Sequence, residues 1–265
     1  MAVIGGAGVP TLPQITINKS QTWVPPQDGV VCIHVVGAGG AGASATTYYG
    51  GGAGAYAKIP SLAVTTAGSF TLVVGVGGAG TEPSSNGQYT NGNAGGNSTI
   101  AGTGITGTLT CAGGGAGTTS ANGGGGAVSG SANEGWAGYS GGAGDRAGGA
   151  VGIYATGNTT PSGQPYWAPI TDAASGGLAM SGYGTICGGQ KGGMWVYNNG
   201  NGAGPDGGAD DLCGGGYAFT NSSNSGQAGD GGIGGGGGGI RGSDRSDLAR
   251  SGSGGNGIIL IHYLS

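Results

Sequence analysis

The chain has 265 residues, of which 74 are glycine, with 2 Phe, 3 Met, 4 Trp, 7% charged residues and a formal net charge of −4. Length permits a sizeable core, but large side chains to fill one are scarce, and each glycine costs roughly 0.5–1 kcal/mol more than alanine to fix in a regular element. The acidic balance excludes a surface of clustered cations for nucleic acid, because Arg241, Arg245 and Arg250 are offset by Asp244 and Asp247.

The opening MAVIGGAGVP lacks the basic start and apolar stretch of a secretion signal. In ITINKSQTWVPPQDG (residues 15–29), Ile15 and Ile17 alternate with polar neighbours before turn signals at Pro25-Pro26 and Asp28-Gly29. VVCIHVV (30–36) reads as the next strand; it is the longest apolar run and far too short to span a bilayer, so no membrane insertion is expected. It runs into Gly37, Gly39 and Gly42 at the spacing of a dinucleotide-binding turn. That site needs a following helix and an acidic residue roughly 20 positions on. ASATTYYGGGAGAYAK has no helical recurrence, and no carboxylate lies between Asp28 and Glu82, so no cofactor is expected.

AYAKIPSL (55–62) and SFTLVVGV (69–76) read as two strands, and TTAG between them as a hairpin turn at Gly68. NSTI and GTLTC, ending at Cys111, add short strands, and GIILIHYL (257–264) reads as a buried one. CIHVV carries His34 and LIHYL carries His262, which predicts that the two strands share one sheet and that both histidines are sheet residues without ligands. Cys32, Cys111, Cys187 and Cys213 show no C-x-x-C pair, so small buried residues are expected and a metal site is not.

From 113 to 255, glycine tracts (GGGAG, GGGGAVSG, GGAGDRAGG, CGGG, GGIGGGGGG) alternate with richer inserts. Disorder suits neither 11 Tyr nor the apolar flanks, and collagen needs glycine at every third residue. The remaining reading is an ordered structure of extended, three-residue-per-turn glycine helices whose backbones hydrogen-bond to neighbouring chains. The expected fold is therefore all-β: strands from both ends form one β-sandwich-like domain around a central region of packed, polyglycine II-like helices. Its expected divisions are an attachment arm over 1–21, a β-domain over 22–117 with 253–265, and a glycine-rich region over 118–252.

The inserts span 153–172, 191–201, 217–225 and 241–250 and are rich in Tyr, Trp, Ser and Asn. Antibody loops use the same mixture, rigid aromatics for contact area and small polar residues for adaptable hydrogen bonds. Tyr154, Tyr166, Trp167, Trp195, Tyr197, Tyr217 and Phe219 are the candidate binding residues. The alternative for each is that it fills a gap in a core short of large side chains. No catalytic constellation stands out. Asp206, Asp210 and Asp211 could pair for glycoside cleavage but suit a solvated turn, and GGAGDRAGG lacks the spacing and iteration of a calcium-binding nonapeptide.

The ordered run of GVVCIHVVGAGGAG, YGGGAGAYAKIPSL, TTAGSFTLVVGVGGAG, NAGGNSTIAG, TLTCAGGGAG and the closing SGSGGNGIILIHYLS resembles the glycine-rich domains of bacteriophage tail fibres and their adhesins. The resemblance covers about 23–117 and 252–265, and it implies a virion component made in the bacterial cytoplasm, commonly homotrimeric, that recognises a host glycan or outer-membrane protein. Such fibres usually carry a long shaft ahead of this domain. Here about twenty residues precede the first expected strand, so residues 1–21 are expected to attach to another tail or fibre protein. The rival expectations are a purely structural virion protein, at the capsid surface or tail tip, and, more remotely, a polysaccharide depolymerase.

Overall fold

A computed structural model describes residues 14–45, 49–82, 89–131, 134–138, 141, 196–198, 202–203, 219–221, 225–242 and 248–264. Its strands are β1 (Gln14–Ile17), β2 (Gln21–Trp23), β3 (Gly29–Val36), β4 (Ser44–Ala45), β5 (Tyr56–Val64), β6 (Phe70–Val73), β7 (Ser98–Gly102), β8 (Thr108–Cys111) and β9 (Val128–Ser129). They continue as β10 (Glu134–Trp136), β11 (Val196–Asn198), β12 (Gly202–Ala203), β13 (Phe219–Asn221), β14 (Ser225–Gln227), β15 (Ile240–Gly242), β16 (Leu248–Arg250) and β17 (Ile258–Tyr263). The fold is all-β, with no helix among the described residues.

Two antiparallel sheets hold the large apolar side chains. The first runs β1-β17-β3-β5-β10 and the second β2-β6-β7-β8-β9. In β3, period-two alternation sends Val31, Ile33 and Val35 into the main apolar cluster, and in β17 it sends Ile259 and Ile261 there. Phe70, Leu72, Ile100 and Leu109 enter the same cluster from the second sheet, and Trp23 packs on Phe70 at 5.2 Å between ring centroids. Cys111 joins the two sheets directly, its Sγ donating to the Val35 carbonyl at 3.3 Å.

The terminal strands do meet. β17 pairs antiparallel with β3, placing Leu260 opposite His34 and His262 opposite Cys32. The hairpin expected at TTAG does not form. Gly68 N–H closes the turn on the Thr65 carbonyl, but β5 stays in the first sheet while β6 crosses to the second. The physical reason is that Ile59, Leu62 and Val64 on one side of the turn and Phe70 and Leu72 on the other all enter one cluster. Facing each other from two sheets buries both rows; lying side by side in one sheet would not.

Glycine segments form a second kind of order. Along residues 37–44, successive N–H groups rotate through three neighbours. Gly37, Gly40 and Ala43 donate to Ala55, Gly52 and Tyr49; Ala38, Ala41 and Ser44 donate to Gly96, Asn93 and Thr90; Gly39 and Gly42 donate to Gly255 and Gly252, all at 2.8–3.1 Å. Carbonyls of the same run turn to other segments: Ala38 and Ala41 accept from Gly114 and Gly117, Gly40 and Ala43 from Gly237 and Ile240, and Gly39 from Gly78. Every third residue thus meets the same neighbour, and the buried polar backbone is paired without a conventional sheet.

Close approach requires glycine here. A Cβ on Gly39 would overlap the Gly235 carbonyl, and one on Gly40 would overlap that of Gly115. The array is also wider than the sequence suggests, since residues 37–44, 49–55, 90–96 and 112–117, inside the expected β-domain, contribute as fully as 228–239. Residues 14–17 of the expected attachment arm form β1 against β17.

Where the array meets solvent, side chains take the outward amides. Asn256 Oδ1 and Ser253 Oγ accept from Gly77 and Gly80, three residues apart on both sides. Asn97 and Asn91 accept from Gly113 and Thr119, six apart on both sides.

Candidate functional site

The alternation that sends Val31, Ile33 and Val35 into the core places Cys32, His34 and Val36 on the other face of the first sheet. β5 adds Tyr56 and Lys58 to that face, and β17 adds Leu260 and His262. This second face is buried as well: His34 is 0% exposed, Tyr56 2% and His262 6%. His34 Nδ1 is 2.7 Å from the Tyr56 hydroxyl, its Nε2 is 3.4 Å from Cys32 Sγ, and its ring meets that of His262 edge-on at 5.5 Å.

Burial first, then the neighbouring His262 and Lys58, lower the His34 pKa to about 3. Burial also lowers that of His262. A cysteine beside a histidine suggests a nucleophile and its base. Here the imidazole is far too weak a base near neutral pH to draw a proton from the thiol, so the constellation suits a packed, neutral hydrogen-bonded group. The sequence placed His34 and His262 together but missed Tyr56 as the histidine's partner. The signal was present in AYAKIPSL, where period two puts Tyr56 and Lys58 on one face and Ala57 and Ile59 on the other. Among the described residues no group of three His, Cys, Asp or Glu is placed to hold a metal ion.

Of the aromatic candidates, Tyr154, Tyr166, Trp167, Trp195 and Tyr217 lie outside the described residues, as do Asp206, Asp210 and Asp211. Tyr197 and Phe219 fall on adjacent parallel strands. β11 pairs with β13, β13 with β15 and β15 with β4, aligning Val196, Phe219, Ile240 and Ser44 in one row and Tyr197, Thr220, Arg241 and Ala45 in the next. Phe219 thus shares a register row with Ile240 and Ser44, and Tyr197 shares one with Ala45; Ser44, Ala45 and Ile240 are all buried.

Paired antiparallel sheets and glycine segments bonded through their backbones, with no helix among the described residues, define a glycine-rich all-β protein. The chain belongs to the glycine-rich domain family, whose model matches residues 15–264. No curated protein matches it. Among the described residues no helix is long and apolar enough to cross a membrane.

Proposed function

We propose that the protein is a non-enzymatic bacteriophage tail-fibre adhesin that binds a host surface glycan or outer-membrane protein. In this reading the two antiparallel sheets act as a sandwich-like clasp, and the glycine segments form a bundle of extended, polyglycine II-like helices. The observation that carries it is the three-residue rotation of N–H partners along residues 37–44, which is the hydrogen-bond pattern of a three-fold extended helix surrounded by neighbours. Such a bundle holds its backbone rigidly with few large side chains, and a rigid scaffold with aromatic and Asn-rich inserts is where recognition residues tend to sit.

Between Gly141 and Ala228, both placed in the array by backbone hydrogen bonds, the sequence holds all seven candidate aromatics. Homotrimeric assembly and attachment through residues 1–21 complete the proposal and follow from the resemblance to fibre domains. The test is competition: purified protein added to host cells should block phage adsorption, and Trp167→Ala or Trp195→Ala should weaken the block. Stoichiometric presence on the particle without any affinity for cells would favour a structural virion component, and release of reducing ends from capsule would favour a depolymerase.

A further inference from the structure

The two antiparallel sheets turn unlike faces outward. His34, Tyr56 and His262 on that of the first are buried, whereas that of the second is open: Thr71 and Thr108 are exposed, Val73 is 38% exposed, and Thr99 and Thr110 are half-buried. Strand register lines these side chains up in two rows, one through Thr71, Ala101 and Thr108 and the next through Val73, Thr99 and Thr110.

The same chains carry this open face into the glycine array. Residues 90–96, 112–117 and 121–127 lie side by side, Gly95 N–H donating to the Gly114 carbonyl and Gly115 N–H to that of Gly124. β7 follows the first of these segments, β8 precedes the second and β9 follows the third. Residues 37–44, which prolong β3, pack behind residues 90–96 through the Ala38 and Ala41 amides, so the side turned away from β3 is the same side in sheet and array. On it every third residue emerges: Asn91 and Ala94 from one segment, Ala121, Gly124 and Ala127 from another, with Ala116 half-buried between them. A Cβ on Gly124 would meet nothing within 4 Å, so the space above it is open.

The strands and segments of this surface carry no charged side chain. Between Lys58 and Glu134 the sequence holds one charged residue, Glu82, and it faces Arg250 Nε at 3.9 Å. Three segments and five strands, about 4.8 Å apart and advancing about 3.1–3.3 Å per residue, give a flat face of about 600 Å². That clears the ~500 Å² per partner that marks a specific interface and approaches the ~800 Å² of a standard one. Small side chains let two such faces come close; the methyls of Ala94 and Ala121 supply apolar contact, and Thr and Asn supply hydrogen bonds, the mixture such interfaces use. An acidic or basic partner finds no complementary charge here, whereas a second copy, despite its own net charge of −4, brings no like charge against the face. We propose that this uncharged face is where copies of the chain associate with one another. The proposal rests on the homo-oligomeric part of the reading above and gives it a location.

Sedimentation velocity of the full chain over a dilution series is the test. Wild type is expected to form an oligomer that dissociates on dilution. Ala94→Glu in the array and Thr71→Glu in the sheet, both at exposed positions, should each raise the dissociation constant at least about tenfold, because like charges are then brought into the contact. Ala94→Gln, of the same size without the charge, should associate as wild type does, and so should Ala63→Glu, exposed on the first sheet. Raised salt should restore part of the association of the two Glu variants, an effect that loss of fold would not show. A wild type that stays monomeric at every concentration, or an oligomer indifferent to both Glu variants, overturns the interface. Adsorption competition separates the two levels: charge-sensitive association without any block of phage adsorption keeps this interface and removes host recognition, whereas a monomer that blocks adsorption does the opposite.

Discussion

His34 Nδ1 and the Tyr56 hydroxyl lie 2.7 Å apart on the buried second face of the first sheet, on strands that pair antiparallel with Val36 opposite Tyr56. The bond holds a neutral imidazole in a setting where the charged form is strongly disfavoured, and stability therefore depends on pH. The folded state keeps His34 unprotonated to about pH 3, while the unfolded chain takes up a proton near pH 6.5. The stabilisation is complete above pH 6.5 and is lost as pH falls from 6.5 towards 3, on the order of 4 kcal/mol over the whole interval. His262, also lowered, adds loss of the same sign. Urea midpoints measured across that interval should fall with acid, and His34→Gln, which does not titrate, should flatten the slope. A wild-type midpoint independent of pH would contradict the neutral assignment.

Cys111 offers a chemical probe of the same core. It is fully buried, its Sγ donates to the Val35 carbonyl, and burial pushes its pKa up to about 12. At pH 8 the reactive thiolate is then roughly one part in ten thousand. Native protein treated with iodoacetamide at pH 8 should show no label on the Cys111 peptide by mass spectrometry, and labelling should appear in urea. Rapid native labelling would mean that the two sheets part readily at β3 and β8.

The strands were legible because their signal is local. Short runs rich in apolar residues, VVCIHVV, AYAKIPSL and GIILIHYL, mark β3, β5 and β17 within about two residues, and the shared histidine pattern placed β3 and β17 in one sheet. The chain's route was less legible. TTAG carries the chemistry of a tight turn, and nothing local reports that β6 leaves for the second sheet; that is decided by where Phe70 and Leu72 find apolar neighbours. Extent was obscured in the same way. Runs such as GAGGAGAS show no local sign of their role because a glycine backbone bond leaves no mark in the sequence, yet every amide of residues 37–44 donates to another segment. The parallel strand pairs of β11 to β16 escaped notice because each strand contributes only two or three paired residues, too few for periodicity to register.

Asparagines at the rim of the array act as backbone substitutes. Asn97 Oδ1 takes the Gly113 amide at 3.0 Å, in the place where another glycine segment would otherwise supply a carbonyl. Asn97→Ala should lower stability by about 0.5–1.5 kcal/mol, the net worth of one such bond with water free to enter. The effect should be local, seen as faster exchange of the Gly113 amide by NMR with little change elsewhere. Asn97→Asp, which retains an acceptor oxygen, should restore most of the protection.

Alanine and glycine are not interchangeable along residues 37–44, and the difference tests the array itself. Ala41 is fully buried and its methyl is accommodated, whereas a methyl on Gly40, one residue earlier, would overlap the Gly115 carbonyl. That oxygen belongs to a backbone already bonded on another side, where it accepts from Gly52 N–H at 2.9 Å, so it cannot withdraw without breaking a second contact. Gly40→Ala should therefore destabilise by about 3 kcal/mol or more, while Ala41→Gly should cost about 1 kcal/mol from backbone freedom and the lost methyl. Hydrogen exchange gives the independent readout. Wild-type amides of residues 37–44 should exchange on the timescale of global unfolding, and Gly40→Ala should speed those of Gly37, Gly40 and Gly52 together, since Gly37 and Gly40 donate to Ala55 and Gly52, and Gly52 donates to the Gly115 carbonyl that the new methyl would displace. Fast exchange throughout residues 37–44 in the wild type would remove the rigid scaffold on which the recognition proposal stands.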